Sequence, residues 1–285
     1  MRKRLCIAIP ASVVSDTPHL REKTSKIGMI GRAAAIFRVD EIVIFPDSPR
    51  DIQKTEMDLV STLLSYLETP QYLRKSLFKL NPDLQYAGIL PPLRTPHHPL
   101  NRRTKELRVG EFREAVTLSQ KEGPILVDIG VEQPALLRGK DMNVGKRITV
   151  KVKKVGKPVE VELASRDDAP SYWGYTVTTE KRPFANFVEK RNFDLVVATS
   201  KYGLPFADVY ERVVGKWEAA NTVLVAFGAP SQGLNEIVRR EGRRLSELVD
   251  FVVNTVPTQG TETVRTEEAL LASLAVFNVL LTLRS

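Results

Sequence analysis

The chain has 285 residues, 42% hydrophobic and 27% charged, enough apolar content to bury a core in one large domain or two modest ones. Its formal net charge of +8 and pI of about 9.5 favour a polyanionic partner, nucleic acid or a membrane surface. The single cysteine, Cys6, excludes an internal disulfide, a multi-cysteine zinc site and an iron–sulfur cluster. The apolar run after Met1-Arg2-Lys3-Arg4 stops at Pro10, too soon for a signal peptide. The longest apolar stretch, Ala269 to Leu283, spans 15 residues with Ser273, Asn278 and Thr282 inside it, too short to cross a bilayer. A cytoplasmic protein with no membrane partner is expected.

Arg4-Leu5-Cys6-Ile7-Ala8-Ile9 reads as a buried strand, with Cys6 a small core residue rather than a nucleophile. A helix follows over 19–38, with Ile27, Ile30, Ala34 and Phe37 at helical spacing, then a strand over Glu41–Phe45 that Pro46-Asp47-Ser48-Pro49 stops. Residues 51–67 form an amphipathic helix with Leu59, Leu63, Leu64 and Leu67 on one face, and a shorter helix covers 70–78. This β-α-β-α opening is the pattern of a parallel sheet covered by helices.

The pattern changes at Pro91-Pro92. Strand-like runs follow at Glu114–Leu118, Ile125–Val131, Ala135–Leu137, Arg147–Val155, Val159–Ala164 and Tyr172–Thr178, punctuated by glycines 110, 123, 130, 139, 145 and 156. They suggest a small barrel. The α/β pattern then resumes: strand Asp194–Ala198, helix Pro205–Trp217, strand Thr222–Phe227, short helix Leu234–Arg240, strand Phe251–Val253 and final helix Glu267–Leu283. The division expected is a split α/β domain, 1–92 and 166–285, around an inserted β module, 93–165. That insert holds 15 Lys+Arg against 9 Asp+Glu, so it carries +6 of the +8. A barrel with such a field suits RNA, and with Phe112 its only aromatic, phosphate and shape contacts are expected over base stacking.

Two glycine-bearing loops follow strands in the C-terminal part, Phe227-Gly228-Ala229-Pro230-Ser231-Gln232-Gly233-Leu234 and Asn254 to Thr263. Ligands of open parallel sheets bind beyond the carboxyl ends of strands. Leu234 stands where a Walker A lysine would be, and neither loop carries a Lys, so a phosphate-rich cofactor is disfavoured and a nucleoside held by backbone fits better.

Three blocks together resemble the SPOUT (α/β trefoil-knot) RNA methyltransferases: Lys26 to Ile42 their first motif, Phe227–Leu234 the second and Val256–Val276 the third. The insert and Tyr172-Trp173-Gly174-Tyr175 are similar to the archaeal and eukaryotic subgroup with an OB-like insertion. The resemblance implies an α/β fold, a trefoil-knotted, mostly parallel sheet with flanking helices, plus an inserted small OB-like β-barrel, although topology rules disfavour knots. It implies S-adenosyl-L-methionine as cofactor, held by Thr199, Phe227, Gly228, Gly233, Leu234, Val256, Pro257, Gly260, Thr261 and Thr263. It implies methylation of a base nitrogen or ribose oxygen of structured RNA (rRNA or tRNA), and a homodimer packed through the first and last helices, which would cover Ala269–Leu283. No metal is expected. The motifs depart from the family at Ser231-Gln232, where an acidic residue often stands, and at Thr261-Glu262-Thr263-Val264-Arg265, in place of a Ser-Leu-Asn run.

Arg32, the first-motif arginine, is the candidate catalytic residue, its fork suited to a phosphate or base oxygen; the other reading is an ordinary surface arginine. His97-His98 read as loop histidines near RNA rather than metal ligands. Tyr172, Trp173 and Tyr175 either stack bases or cement the barrel to the rest of the chain, the second preferred. Gly28-Met29-Ile30-Gly31 mimics the clamping loop of KH domains but sits in a helical context. Rival functions are a non-catalytic RNA-binding or ribosome-assembly protein that keeps the fold, and a methyltransferase acting on a protein side chain.

Overall fold

A computed structural model describes residues 3–48, 53–119, 125–138 and 142–282. Met1, Arg2, Pro49, Gly123, Gly139, Leu283 and the first two residues of the 51–67 helix lie outside the described residues. In chain order the elements are β1 (Arg4–Pro10), α1 (Leu20–Ile36), β2 (Glu41–Phe45), α2 (Lys54–Glu68), α3 (Arg74–Leu77), β3 (Phe112–Ser119), β4 (Ile125–Asp128), β5 (Ala135–Leu137), β6 (Arg147–Lys154) and β7 (Glu160–Ala164). There follow β8 (Thr176–Thr179), α4 (Phe184–Arg191), β9 (Leu195–Pro205), α5 (Phe206–Ala219), β10 (Thr222–Ala226), α6 (Leu234–Arg240), α7 (Leu245–Leu248), β11 (Phe251–Asn254) and α8 (Thr266–Thr282).

The chain forms two compact units, one of residues 1–65, 83–91 and 175–285, the other of 66–82 and 92–174. The first holds a six-stranded sheet in the order β11-β9-β10-β1-β2-β8, every pairing parallel. Its inner strands are unbroken apolar runs, Ile7-Ala8-Ile9, Ile42-Val43-Ile44 and Val223-Leu224-Val225, all inaccessible to water, as a sheet covered on both faces requires. One layer of the core joins Phe45, Phe184, Phe187, Leu224, Leu234 and Ile237. β9 outruns its sequence prediction: Ala198 pairs with Val252, but the next residue of β11, Val253, pairs with Leu204, so 199–203 leave the ladder.

In the second unit β3–β7 close into a barrel in the order β3-β4-β5-β7-β6, with β3 also paired to β6 and β5–β7 the one parallel pair. This is the strand order of the OB barrel. Alternate residues point inward, among them Ile125, Val127, Val150, Val152 and Val161.

Two expectations are corrected. The strand in Tyr172–Thr178 is Thr176–Thr179, and it belongs to the parallel sheet, where Thr176 lies opposite Glu41 and its N–H donates to the Asp40 carbonyl (2.9 Å); β propensity marks a strand without naming its neighbour. The helix expected over 70–78 is a 3-10 turn, Gln71–Leu73, followed by the four-residue α3. Pro70 starts the turn, and Arg74 donates to the Leu67 and Thr69 carbonyls at the end of α2 (3.2 and 3.0 Å). No described helix is long and apolar enough to cross a membrane.

Candidate active site

The predicted cofactor residues lie on, or in loops that follow, three adjacent strands, β11, β9 and β10. Phe227, buried, extends β10 by donating its N–H to the Ala8 carbonyl (3.0 Å). The chain then turns tightly, with Ala229 N–H donating to the Gln232 carbonyl (2.9 Å), and buried Leu234 opens α6. A β-carbon on Gly228 would stand 3.0 Å from the Gly233 Cα and 3.1 Å from the Leu234 nitrogen, so a side chain there would open the loop by a few tenths of an ångström. Thr199 Oγ1 donates to the Ala226 carbonyl (3.0 Å), tying the start of the β9 excursion to the end of β10. Thr266 Oγ1 donates to the Gly228 carbonyl (3.1 Å), tying that loop to α8.

The loop after β11 has its own scaffold. Asn254 accepts from Val256 N–H and donates to the Lys201 carbonyl (2.9 Å each). Gln259 donates to the carbonyls of Thr261 and Glu262 (2.9 and 3.1 Å), and Thr261 to Thr263 (2.9 Å). Thr255 shares a 2.8 Å hydrogen bond with buried Ser273 of α8. Pro257, Gly260, Thr261 and Thr263 are exposed, Val256 partly so. Arg32 stands on another element: it is partly buried on α1, the helix that packs on α8.

The sequence reading missed a polar network beside these loops. Asp47, buried just past β2, accepts from Ser12 N–H (3.1 Å) and hydroxyl, from Gln53 Nε2 (3.0 Å) and from Gln232 Nε2 (3.0 Å). Gln232 Oε1 is buried and has no hydrogen-bond partner among the described residues. Asp47 lies in the Pro46–Pro49 stretch that reads as a strand stop, and Gln232 in the second-motif loop, where it stands out only as a departure from the family; pairing across 185 positions leaves no local signal. Lys26, in the first-motif block, is buried and bonded to Asp16 (2.7 and 2.9 Å), with Glu267 at 3.4 Å. Gly28-Met29-Ile30-Gly31 lies within α1. Burial pushes the Cys6 thiol up to about 12, and Glu41, 3.8 Å away, adds to it. A thiol so held supplies no thiolate near neutral pH, which removes a covalent cysteine route.

In the barrel unit the histidines differ from expectation. His97 is fully buried, its Nε2 3.0 Å from the Glu68 carbonyl and 3.2 Å from Glu68 Oε1; His98 Nε2 lies 2.7 Å from the same carbonyl. They line a buried charge cluster, not an RNA-facing loop, because Glu68 gathers donors that adjacent sequence does not show. Arg147 reaches Glu68 (2.6 and 3.2 Å) and Glu114 (2.6 Å), and Arg166 reaches Glu68 (2.8 Å). Burial alone would raise the Glu68 carboxyl, but Arg147, His97 and Arg166 outweigh it and hold it down at about 2. Burial and then His97 lower His98 to about 4. Tyr172, Trp173 and Tyr175 are buried, out of reach of a nucleobase: Trp173 Nε1 donates to Glu114 (2.7 Å), and Tyr175, in the sheet unit, to the Leu64 carbonyl (3.2 Å).

Over residues 4–277 the chain matches the family model described as "Putative RNA methyltransferase". It is 33% identical to the human 28S rRNA (uridine-N(3))-methyltransferase over 95% of this chain and 77% of that protein. The mouse protein of the same name is 36% identical over 95% and 75%. An uncharacterised protein of Halobacterium salinarum is 34% identical over 94% of this chain and 96% of its own length.

Proposed function

The chain belongs to this family of RNA methyltransferases, and on that premise we propose that it transfers a methyl group from S-adenosylmethionine to a base nitrogen of structured ribosomal RNA in the cytoplasm. The observation that carries the proposal is that the Thr199, Gly228–Leu234 and Val256–Thr263 segments belong to or follow three adjacent strands, with Thr199 bonded to Ala226 and Thr266 of α8 bonded to Gly228. The residues fit the cofactor. The first loop is uncharged, Gly233 and Gly260 each have open space where a side chain would stand, and buried Gln232 Oε1 has no donor among the described residues, a place a nucleoside amine or ammonium group would fill. S-adenosylmethionine, when bound, supplies an electrophilic methyl carbon to an in-line acceptor. A trefoil knot through these loops and a homodimer through α1 and α8 belong to the same reading. Met29 and Ile36 on α1 and Leu271 and Val279 on α8 are 43–52% exposed, an apolar surface that a second copy would cover.

The acceptor named in the human and mouse relatives is uridine N3. That nitrogen carries a proton that must pass to solvent before or as the methyl arrives; the anion so formed spreads its charge over N3 and the two ring carbonyl oxygens until methyl transfer neutralises it. Arg32 is proposed to meet that charge with its planar fork and to hold the base in line. Titration calorimetry with S-adenosylmethionine, followed by nucleoside mass spectrometry of ribosomal RNA incubated with protein and cofactor, tests the reading. Binding and a new N3-methyluridine are expected. Absence of binding heat at millimolar cofactor would refute it.

A further inference from the structure

The approach to the barrel carries a feature that the overall charge of this region conceals. Residues 101–110 run into β3 fastened at every third position. Asn101 Oδ1 accepts from buried Arg113 (2.6 Å). Thr104 donates its N–H and hydroxyl to Glu132 (2.7 and 2.8 Å). Leu107 is buried in the apolar core of the barrel. Gly110 N–H donates to the Val152 carbonyl of β6 (2.8 Å). Between these anchors the remaining side chains are exposed: Arg102, Arg103, Lys105, Glu106, Arg108 and Val109, four cations against one carboxylate.

The cations of the barrel strands are differently placed. Lys153 pairs with Glu162 (3.1 Å), Lys154 and Arg138 with Glu160 (3.8 and 3.5 Å), Arg113 with Glu111 (2.7 Å), and Arg147 is spent on Glu68 and Glu114, while Lys151 lies over the Phe112 ring (5.6 Å). No ion pair takes up Arg102, Arg103, Lys105 or Arg108 among the described residues. The carboxylate that feels Arg103, Glu132, is already engaged by Thr104.

We infer that residues 102–108 form the phosphate-binding strip of the barrel unit, a pre-ordered row of cations that grips the RNA backbone. A cation held by a carboxylate must give up that partner before it neutralises a phosphate, so the strip rather than the paired strand face should dominate the counterion release that sets the electrostatic affinity. Because the anchors hold the backbone before binding, little further ordering is needed when RNA arrives. The scarcity of aromatics here suits phosphate contacts rather than stacking. Exposed Leu100 and Val109, at either end, offer apolar contact to ribose.

The inference rests on RNA being the substrate, and its test is kept separate from the test of catalysis. Anisotropy of a labelled RNA hairpin of about 20 nucleotides is followed from about 50 to 200 mM KCl, for the wild type, for R102Q/R103Q/K105Q/R108Q and for K153Q/K154Q. The strip variant should lose about 3 from the slope of log affinity against log salt and bind at least about tenfold more weakly at the low-salt end. The strand variant should change the slope by less than about 1. Cofactor calorimetry and the thermal midpoint should match the wild type in both. A strip variant with wild-type RNA affinity and slope, or a strand variant that shows the larger loss, overturns the inference whatever the cofactor result. A wild type that binds RNA through the strip but gives no cofactor heat would sink the enzymatic reading and leave the strip standing.

Discussion

Replacing Glu68 by Gln removes the negative charge on which the barrel unit's buried cluster is built. Arg147 would keep Glu114 (2.6 Å), and Arg166 would keep the Trp173 carbonyl (2.6 Å). Both would lose an ionised partner at 2.6–3.2 Å. Breaking one side of a buried charge pair costs about 3–5 kcal/mol. Arg147 and Arg166 keep 24% and 31% of their side-chain surface in water, which lowers the expectation to about 2–3 kcal/mol. The carboxyl gives a comparable figure, since its fall from 4.5 to about 2 corresponds to about 3 kcal/mol. A depressed carboxyl stabilises the fold fully above its ordinary value, and that contribution fades as pH falls from 4.5 towards about 2. Urea unfolding followed by the fluorescence of buried Trp173, with Trp217→Phe in both proteins, reads this unit. At neutral pH Glu68→Gln should be less stable by about 2–3 kcal/mol, and the gap should close as pH approaches 2. A difference below about 0.5 kcal/mol at neutral pH, or a gap unchanged in acid, would refute the reasoning.

Gly174, at φ +83°, has Glu68 Oε1 and His97 Cε1 each 2.5 Å from where a β-carbon would sit, so Gly174→Ala should cost more than about 2 kcal/mol in the same fluorescence assay. Gly228→Ala should weaken S-adenosylmethionine at least about tenfold by calorimetry while leaving circular dichroism unchanged, because the loop must open by a few tenths of an ångström. Arg32→Ala should lower methyl transfer about 10²-fold or more in single-turnover assays with RNA affinity within about twofold; equal losses in both would make Arg32 a binding residue only. Light scattering should give twice the 31.9 kDa chain mass, and Leu271→Asp with Val279→Asp should shift the population to monomer.

The elements that sequence alone determined are those whose information is local. The runs at Ile7, Ile42 and Val223 announce buried parallel strands because both faces of such a strand must be apolar. The inward alternation of Val150 and Val152 announces barrel strands, and the glycines and prolines after β10 and β11 mark loops where a ligand can approach. The resemblance of three short motifs located the candidate cofactor residues, and the sheet order then placed them at neighbouring strand ends.

Tertiary structure alone decided what depends on partners far along the chain. Residues 66–82 read as the end of one helix and a shorter helix over 70–78, yet they fold with the barrel, where Glu68 finds Arg147 and Arg166 79 and 98 positions away. His97-His98 look like exposed loop histidines until that carboxylate buries them. Thr176–Thr179 carries the same β propensity in either sheet, and only the free edge of β2 chooses between them. The +6 of the insert is a sum that hides which cations are spent on Glu160 and Glu162 and which remain open on 102–108. Hydrophobic periodicity is written in near neighbours, whereas the pairing of buried charges and strand edges is set by the packed chain and leaves no mark on adjacent sequence.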